Sequence, residues 1–189
     1  MKPGLLDHTV TGLQANSFVA VDPSIEARKS AWARFRRGYQ WRLTDVGRLS
    51  VPIKTPKAKR PEALNRSASE IIQAFRPDVL VLEDQFDDNR VPGRNILTLK
   101  ESAMAWRFLN VPVIMVEGKD WQRHCFKGYI RQTTLDKKRV IDAIIWNAVL
   151  SDRLAAYTDG KITLNGRDEE CAFLIGCWFV EAEGARYEE

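Results

Sequence analysis

The sequence predicts a single α/β domain, with helices packed on a central mixed sheet that begins as an antiparallel meander and continues as parallel strands. Three observations predict it. The first part of the chain carries aromatic and β-branched runs separated by short turns. The remainder alternates unbroken apolar runs with segments of helical period. At 189 residues and 44% hydrophobic, the chain can bury one sizeable core.

Residues 1–16 are expected to form a loosely attached arm, 17–182 the domain and 183–189 a tail. SFVAV, from Ser17 to Val21, reads as a buried strand that runs into Asp22 and is broken at once by Pro23 and Ser24. AWARF and GYQWRLTDVGRLSVP read as two further strands, joined through the basic turn Arg36-Arg37-Gly38. KTPKAKRP, residues 54 to 61, has charge and proline without an apolar period and reads as an exposed loop. A helix follows over PEALNRSASEIIQAF, where Pro61 suits a first helical position and Leu64, Ile71, Ile72 and Phe75 recur at roughly helical spacing.

VLVLED lacks alternation, as expected for a strand covered on both faces, and it ends in Glu83 and Asp84. Beyond the polar loop DQFDDNRVPGRN, ILTLKESAMAWRFL predicts a second helix, whose apolar stripe suits core packing or a dimer surface equally. VPVIMVEG predicts a further buried strand. TLDKKRVIDAIIWNAVL predicts a long helix capped by Thr134 or Asp136, with Val140, Ile141, Ile144, Ile145 and Val149 on one broad face. DEECAFLIGCWFV closes the domain as a helix with an acidic first turn, in which Gly176 permits close packing on the sheet. No internal repeat interrupts this order.

Composition narrows the function classes. Lys and Arg number 29 against 25 for Asp and Glu, a formal charge of +4 that permits a polyanionic partner without requiring one. Cys125, Cys171 and Cys177 are odd in number and lack metal-site spacing, so neither a disulfide framework nor a zinc site is expected. The opening residues lack a continuous apolar core and no segment approaches bilayer-spanning length. A soluble protein of a reduced cytoplasm, with no membrane partner, is the resulting expectation.

The chemistry lies in where the acids fall. Asp22 ends the first strand, Glu83 the fourth, and Asp168, Glu169 and Glu170 open the last helix. Ends of central strands share one crevice, so these acids can meet there. Clustered carboxylates repel one another and are costly to bury unless a cation neutralises them. Hard oxygen donors suit Mg²⁺ or Mn²⁺, and two such ions about 3.5–4 Å apart can activate a water and stabilise a leaving oxygen in phosphodiester hydrolysis. Each acid alone has a plainer explanation: Asp before Pro-Ser is ordinary turn chemistry, and acids favour a helix's first turn through its dipole. Neighbours on a strand face opposite sides, so only one of Glu83 and Asp84 can look into a shared site. Asp168 and Glu170, two apart on a helix, likewise diverge.

The order of these segments resembles a known family. FVAVDPSIEARKSAWARF and RPDVLVLEDQF are similar to the first and second motifs of RuvC-type Holliday junction resolvases, nucleases of the ribonuclease H-like superfamily. DKKRVIDAI resembles that family's basic helix start and DEECAFLIGCW its last acidic motif, so the likeness runs from residue 17 to about 180. It implies a ribonuclease H-like fold with a five-stranded sheet, and metal ligands at Asp22 and Glu83, completed by Asp168 and Glu170 ahead of Glu169. Lys137 is the implied lysine contacting DNA or the transition state. Where the family has Asp before Ala and another acid three residues earlier, this chain has Glu170 before Cys171 and Arg167 at the earlier position.

The implied activity is resolution of four-way DNA junctions by paired nicks, using two Mg²⁺ or Mn²⁺ ions and a homodimer, in a bacterial or phage-infected cytoplasm. A less selective flap nuclease, or a binding protein without catalysis, uses the same residues. DNA contacts are expected from Arg28, Lys29, Arg34, Arg36 and Arg37 near the first hairpin, and from Lys54, Lys57, Lys59 and Arg60 in the loop after it. Further candidates are Arg90, Arg94, Arg123, Lys127 and Lys138, with Phe86 as a wedge or stacking residue or part of the core. Trp121, in polar surroundings, is expected on a loop or short helix near the site.

Overall fold

A computed structural model describes residues 15–23, 30–52, 54–84, 102–127 and 135–184, with backbone alone for 57, 135–142 and 183–184. Strands β1 (Ser17–Asp22), β2 (Ala31–Arg37) and β3 (Trp41–Arg48) are followed by a 3-10 turn (Lys57–Lys59) and helix α1 (Arg60–Phe75). Then come β4 (Val79–Asp84), helical residues 102–107 (α2), β5 (Val113–Glu117) and α3 (Gly118–Cys125). Helices α4 (Leu135–Tyr157) and α5 (Arg167–Gly184) complete the described chain.

The sheet order is β3-β2-β1-β4-β5. The first three strands pair antiparallel, while β4 joins β1, and β5 joins β4, in parallel. This is the mixed five-stranded architecture the sequence predicts. Both faces are covered, which is why the runs in β1 and β4 do not alternate. Phe18 and Ala20 of β1, with Val79 and Val81 of β4, pack beneath α3, α4 and α5. Val19 and Val21, with Leu80 and Leu82, pack on the opposite face against α1 and α2.

That parity fixes the direction of the acids. Two residues on from Ala20, Asp22 belongs to the α5 face, and so does Glu83, two on from Val81; Asp84 belongs to the other. The last registered pair between the two strands is Val21 with Leu82, so Asp22 and Glu83 come next, side by side. The other end of this register is tied down by Asp78, whose carboxylate accepts the backbone N–H groups of Asn16 at 2.8 Å and Ser17 at 3.0 Å.

Several expectations change with packing. The loop after β3 contains the 3-10 turn, and α1 starts at Arg60, one residue ahead of Pro61. β5 lies at the sheet edge with Val113, Ile114 and Met115 half-buried, because among the described residues it pairs with β4 alone. Asp136 falls inside α4 rather than ahead of it, while Thr134 lies outside the described residues. Ile144 is 64% exposed, since the described side chains of α4 pack through Ile145, Trp146, Val149 and Leu150; those of Val140 and Ile141 lie outside the described residues. Gly176 matches its expected role: a Cβ there would stand 2.1 Å from the ring of Phe35, so the lack of a side chain lets α5 lie on β2.

Candidate active site

Asp22 and Glu83 are 9% and 7% exposed at the ends of adjacent parallel strands. Strand parity puts both on the α5 face, close enough for the charge of Glu83 to act on Asp22. Burial above all, then the charge of Glu83 and the bond to it, then the charge of Asp168, raise the Asp22 carboxyl well above the usual carboxylate range. The Cys171 thiol, hydrogen-bonded to Asp22, acts in the opposite direction.

Glu83 is held from the far side as well. The indole Nε1–H of Trp121 donates to its Oε1 at 3.0 Å, and Trp121 is itself 1% exposed. Trp121 thus sits on a short helix at the site, as expected, and is buried there despite its polar sequence neighbours. The passage from β5 into α3 leaves space for the carboxylate at Gly118, where a Cβ would come within 2.6 Å of Glu83 Oε1.

The three acids opening α5 go three ways, as successive residues on a helix must at about 100° apart. Asp168 lies close enough for its charge to raise Asp22, with Arg48 at 4.0 Å. Glu169 turns away, paired with Arg48 at 3.2 Å and accepting the Asn165 backbone N–H at 2.6 Å, which ties the preceding loop to the first turn of the helix. Glu170 accepts the Trp146 Nε1–H at 2.8 Å and lies 3.8 Å from Arg167, whose guanidinium covers the Trp146 ring at 3.1 Å from its centroid. One turn after Asp168, Cys171 returns to the Asp22 side.

The structure therefore brings Asp22, Glu83 and Asp168 together and directs Glu170 to Trp146. Among the described residues no three His, Cys, Asp or Glu side chains already stand as a metal-binding group. The donor chemistry nevertheless fits a hard divalent cation: two buried carboxylates whose like charges oppose each other are what an ion would satisfy, and Asp168 lies near enough for its charge to act on Asp22. Cys171 and the aromatic and guanidinium partners Trp146 and Arg48 went unforeseen as site neighbours. The i, i+3 spacing from Asp168 to Cys171 was the available signal for the thiol. All three cysteines are free, and burial pushes the Cys125 thiol up to about 12.

The basic candidates scatter. Arg36 and Arg37 lie at the opposite end of the sheet, for Ser17 pairs with Arg36 where Asp22 pairs with Ala31. Five residues of strand separate the two levels, about 17 Å. Arg34 is committed to the fold, paired with Asp45 at 3.1 Å and stacked 4.4 Å from the Phe75 ring centroid. Arg60 reaches the Thr55 carbonyl at 3.4 Å. Lys54, Lys59, Arg123 and Lys127 are exposed. Arg28, Lys29, Phe86, Arg90 and Arg94 lie outside the described residues, as do the side chains of Lys57, Lys137 and Lys138. No helix among the described residues is long and apolar enough to cross a membrane.

No family model and no curated protein matches the chain in sequence. Solved structures do match it in fold. The Thermus thermophilus RuvC in complex with a Holliday junction substrate superposes with a TM-score of 0.57 at 17% identity, covering 91% of this chain and 96% of that one. A second T. thermophilus RuvC structure gives 0.54 at 15% identity, over 88% and 96%. The yeast mitochondrial Holliday junction resolvase Ydc2 gives 0.52 at 9% identity, over 90% and 80%. The fold is the ribonuclease H-like fold of these resolvases.

Proposed function

We propose that this chain is a divalent-metal-dependent endonuclease that resolves four-way DNA junctions, acting as a homodimer so that two nicks are related by a two-fold axis. The observation that carries this reading is the buried pair of Asp22 and Glu83 at neighbouring strand ends, with Asp168 of α5 near enough for its charge to act on Asp22. Support comes from the shared fold, since one matching structure is a RuvC bound to a Holliday junction.

In this reading Asp22, Glu83 and Asp168 hold Mg²⁺ or Mn²⁺. When bound, the ions supply an activated water and stabilisation of the leaving oxygen. Trp121 fixes the orientation of Glu83, and Arg48 restrains Asp168. Glu170 becomes a donor when it gives up its bond to Trp146. Lys137 and Lys138 at the start of α4, together with Arg28, Lys29, Lys57, Lys59, Phe86, Arg90, Arg94, Arg123 and Lys127, are proposed to contact the DNA. Cleavage of a labelled four-way junction, compared with a flap and a linear duplex in Mg²⁺, Mn²⁺ or chelator, tests the whole reading. Metal-dependent paired nicks across the junction support it, and preferential cutting of the flap moves the substrate.

A second reading is a junction-binding protein without catalysis. The clamp of Trp146 and Arg167 on Glu170 favours it, because that clamp occupies an acid the resemblance assigns to the metal. Tight junction binding with no cleavage under any metal would select it.

Gly118→Ala probes the site without altering a charged group. The added methyl displaces the Glu83 carboxylate, which Trp121 holds from another direction. Mn²⁺ affinity, measured by calorimetry, is expected to fall about 10–100-fold, the range seen when support for a metal ligand is lost. An unchanged circular dichroism spectrum would assign the loss to the site, and an unchanged affinity would remove Glu83 from it.

A further inference from the structure

The β2–β3 hairpin carries a concave surface remote from the acids. A hollow of about 430 Å³ is lined there by seven residues of the hairpin, among them Arg36, Arg37, Tyr39, Arg42 and Thr44. Among the described residues, three arginines and no acid line it.

Two features distinguish this surface from a solvated turn. Tyr39 is fully exposed, at 104% of its reference area, although the turn needs no aromatic ring: Gly38 closes it by donating its N–H to the Gln40 carbonyl at 3.1 Å. Arg42 is braced by the Ala156 carbonyl at 2.8 Å, with Asp159 4.0 Å away, so one guanidinium is already held in place. Arg36 and Arg37 are exposed beside it, Arg37 with its guanidinium 6.0 Å from the Trp41 ring centroid.

A bare aromatic face among braced and exposed guanidinium groups is the chemistry that recognises a base and its flanking phosphates. We propose that this hairpin is a binding site for single-stranded nucleic acid, sequence-tolerant, with Tyr39 stacking a base and Arg36, Arg37 and Arg42 contacting the backbone. It goes beyond junction cleavage and does not depend on it. The hairpin stands about 17–20 Å along the sheet from Asp22, so a strand held here stays clear of the acidic pair.

Fluorescence anisotropy of a labelled oligothymidylate, with the full chain in chelator, tests the site. Tyr39→Ala is expected to bind about tenfold more weakly, with an unchanged melting temperature, because the ring buries no area in the fold. Tyr39→Phe keeps the ring and is expected to bind as the wild type does. The Arg36→Ala/Arg37→Ala double variant is expected to flatten the dependence of log affinity on log salt by about 1.4, at about 0.7 per lost phosphate contact. Wild-type binding by both Tyr39→Ala and the double variant would overturn the proposal. So would displacement of the oligonucleotide by polyglutamate as readily as by unlabelled oligothymidylate, since the surface would then select charge alone. Asp22→Asn separates the two functions: it removes cleavage and leaves oligothymidylate binding intact, so a failure of the nuclease reading does not imitate a failure here.

Discussion

Asp22→Asn is expected to lower metal-dependent junction cleavage by at least roughly a thousandfold, the loss of several kcal/mol of transition-state stabilisation. The same substitution is expected to raise the melting temperature of the metal-free protein. Both outcomes have one origin. Asp22 is buried against Glu83 and near Asp168, so its ionised form is opposed by burial and by like charge. Asparagine has nearly the same shape, can donate a hydrogen bond to Glu83, and carries no charge. Each kcal/mol of repulsion relieved raises the melting temperature of a domain this size by about 2–4 °C.

The pH dependence has a definite sign. The folded Asp22 carboxyl binds its proton more tightly than the unfolded chain does, so its contribution to stability is fully present below the unfolded pKa. That contribution is lost as pH rises from about 4 through the raised folded value. Thermal melts in chelator across this window should show wild-type stability falling more steeply with pH than that of Asp22→Asn. Adding Mn²⁺ at neutral pH should stabilise the wild type and leave the variant nearly unmoved. Parallel pH profiles would show that the acidic pair stores no such repulsion.

Gly176→Ala is expected to be the most damaging single-methyl change in the core. The new Cβ would stand 2.1 Å from one carbon of the Phe35 ring and 2.8 Å from two others. Phe35 has no room to retreat, being fully buried and stacked on Phe18 at 4.9 Å and Phe173 at 6.0 Å between centroids. Overpacking of this kind costs about 3 kcal/mol, offset by about 1 kcal/mol from the better helix propensity of alanine. The net loss of about 2 kcal/mol corresponds to a fall of about 4–8 °C in melting temperature. Recovery in the double variant with Phe35→Leu would locate the strain at this contact. A single variant as stable as the wild type would show that α5 can lift from the sheet at no cost.

Much of this was legible in the sequence for identifiable reasons. β1 and β4 announce themselves as apolar runs without alternation, since both of their faces are covered, and the abrupt change to acid marks where each strand leaves the core. Strand parity leaves one of Glu83 and Asp84 for the shared face, and the resemblance to resolvases favours Glu83. Gly176 stands out as a glycine amid large apolar residues, which signals a close approach. Ile144 misled because helical spacing records which residues share a face, whereas the width of the buried stripe depends on what packs against it.

The first turn of α5 marks where local reading stopped. Three successive acids follow from the sequence, as does their divergence around a helix. Their separate fates depend on Arg48 from β3, Asn165 from the preceding loop and Trp146 from α4, groups that meet this turn through the fold alone. By itself the sequence determined the order of strands and helices and the acids at the ends of β1 and β4, because these follow from covalent order and local hydrophobic pattern. Only the tertiary structure decided that Asp22 and Glu83 stand side by side, that the charge of Asp168 reaches Asp22, and that Arg36 and Arg37 stand at the far end of the sheet. Those outcomes rest on strand register and on long-range packing, where residues distant along the chain set each other's charge and direction.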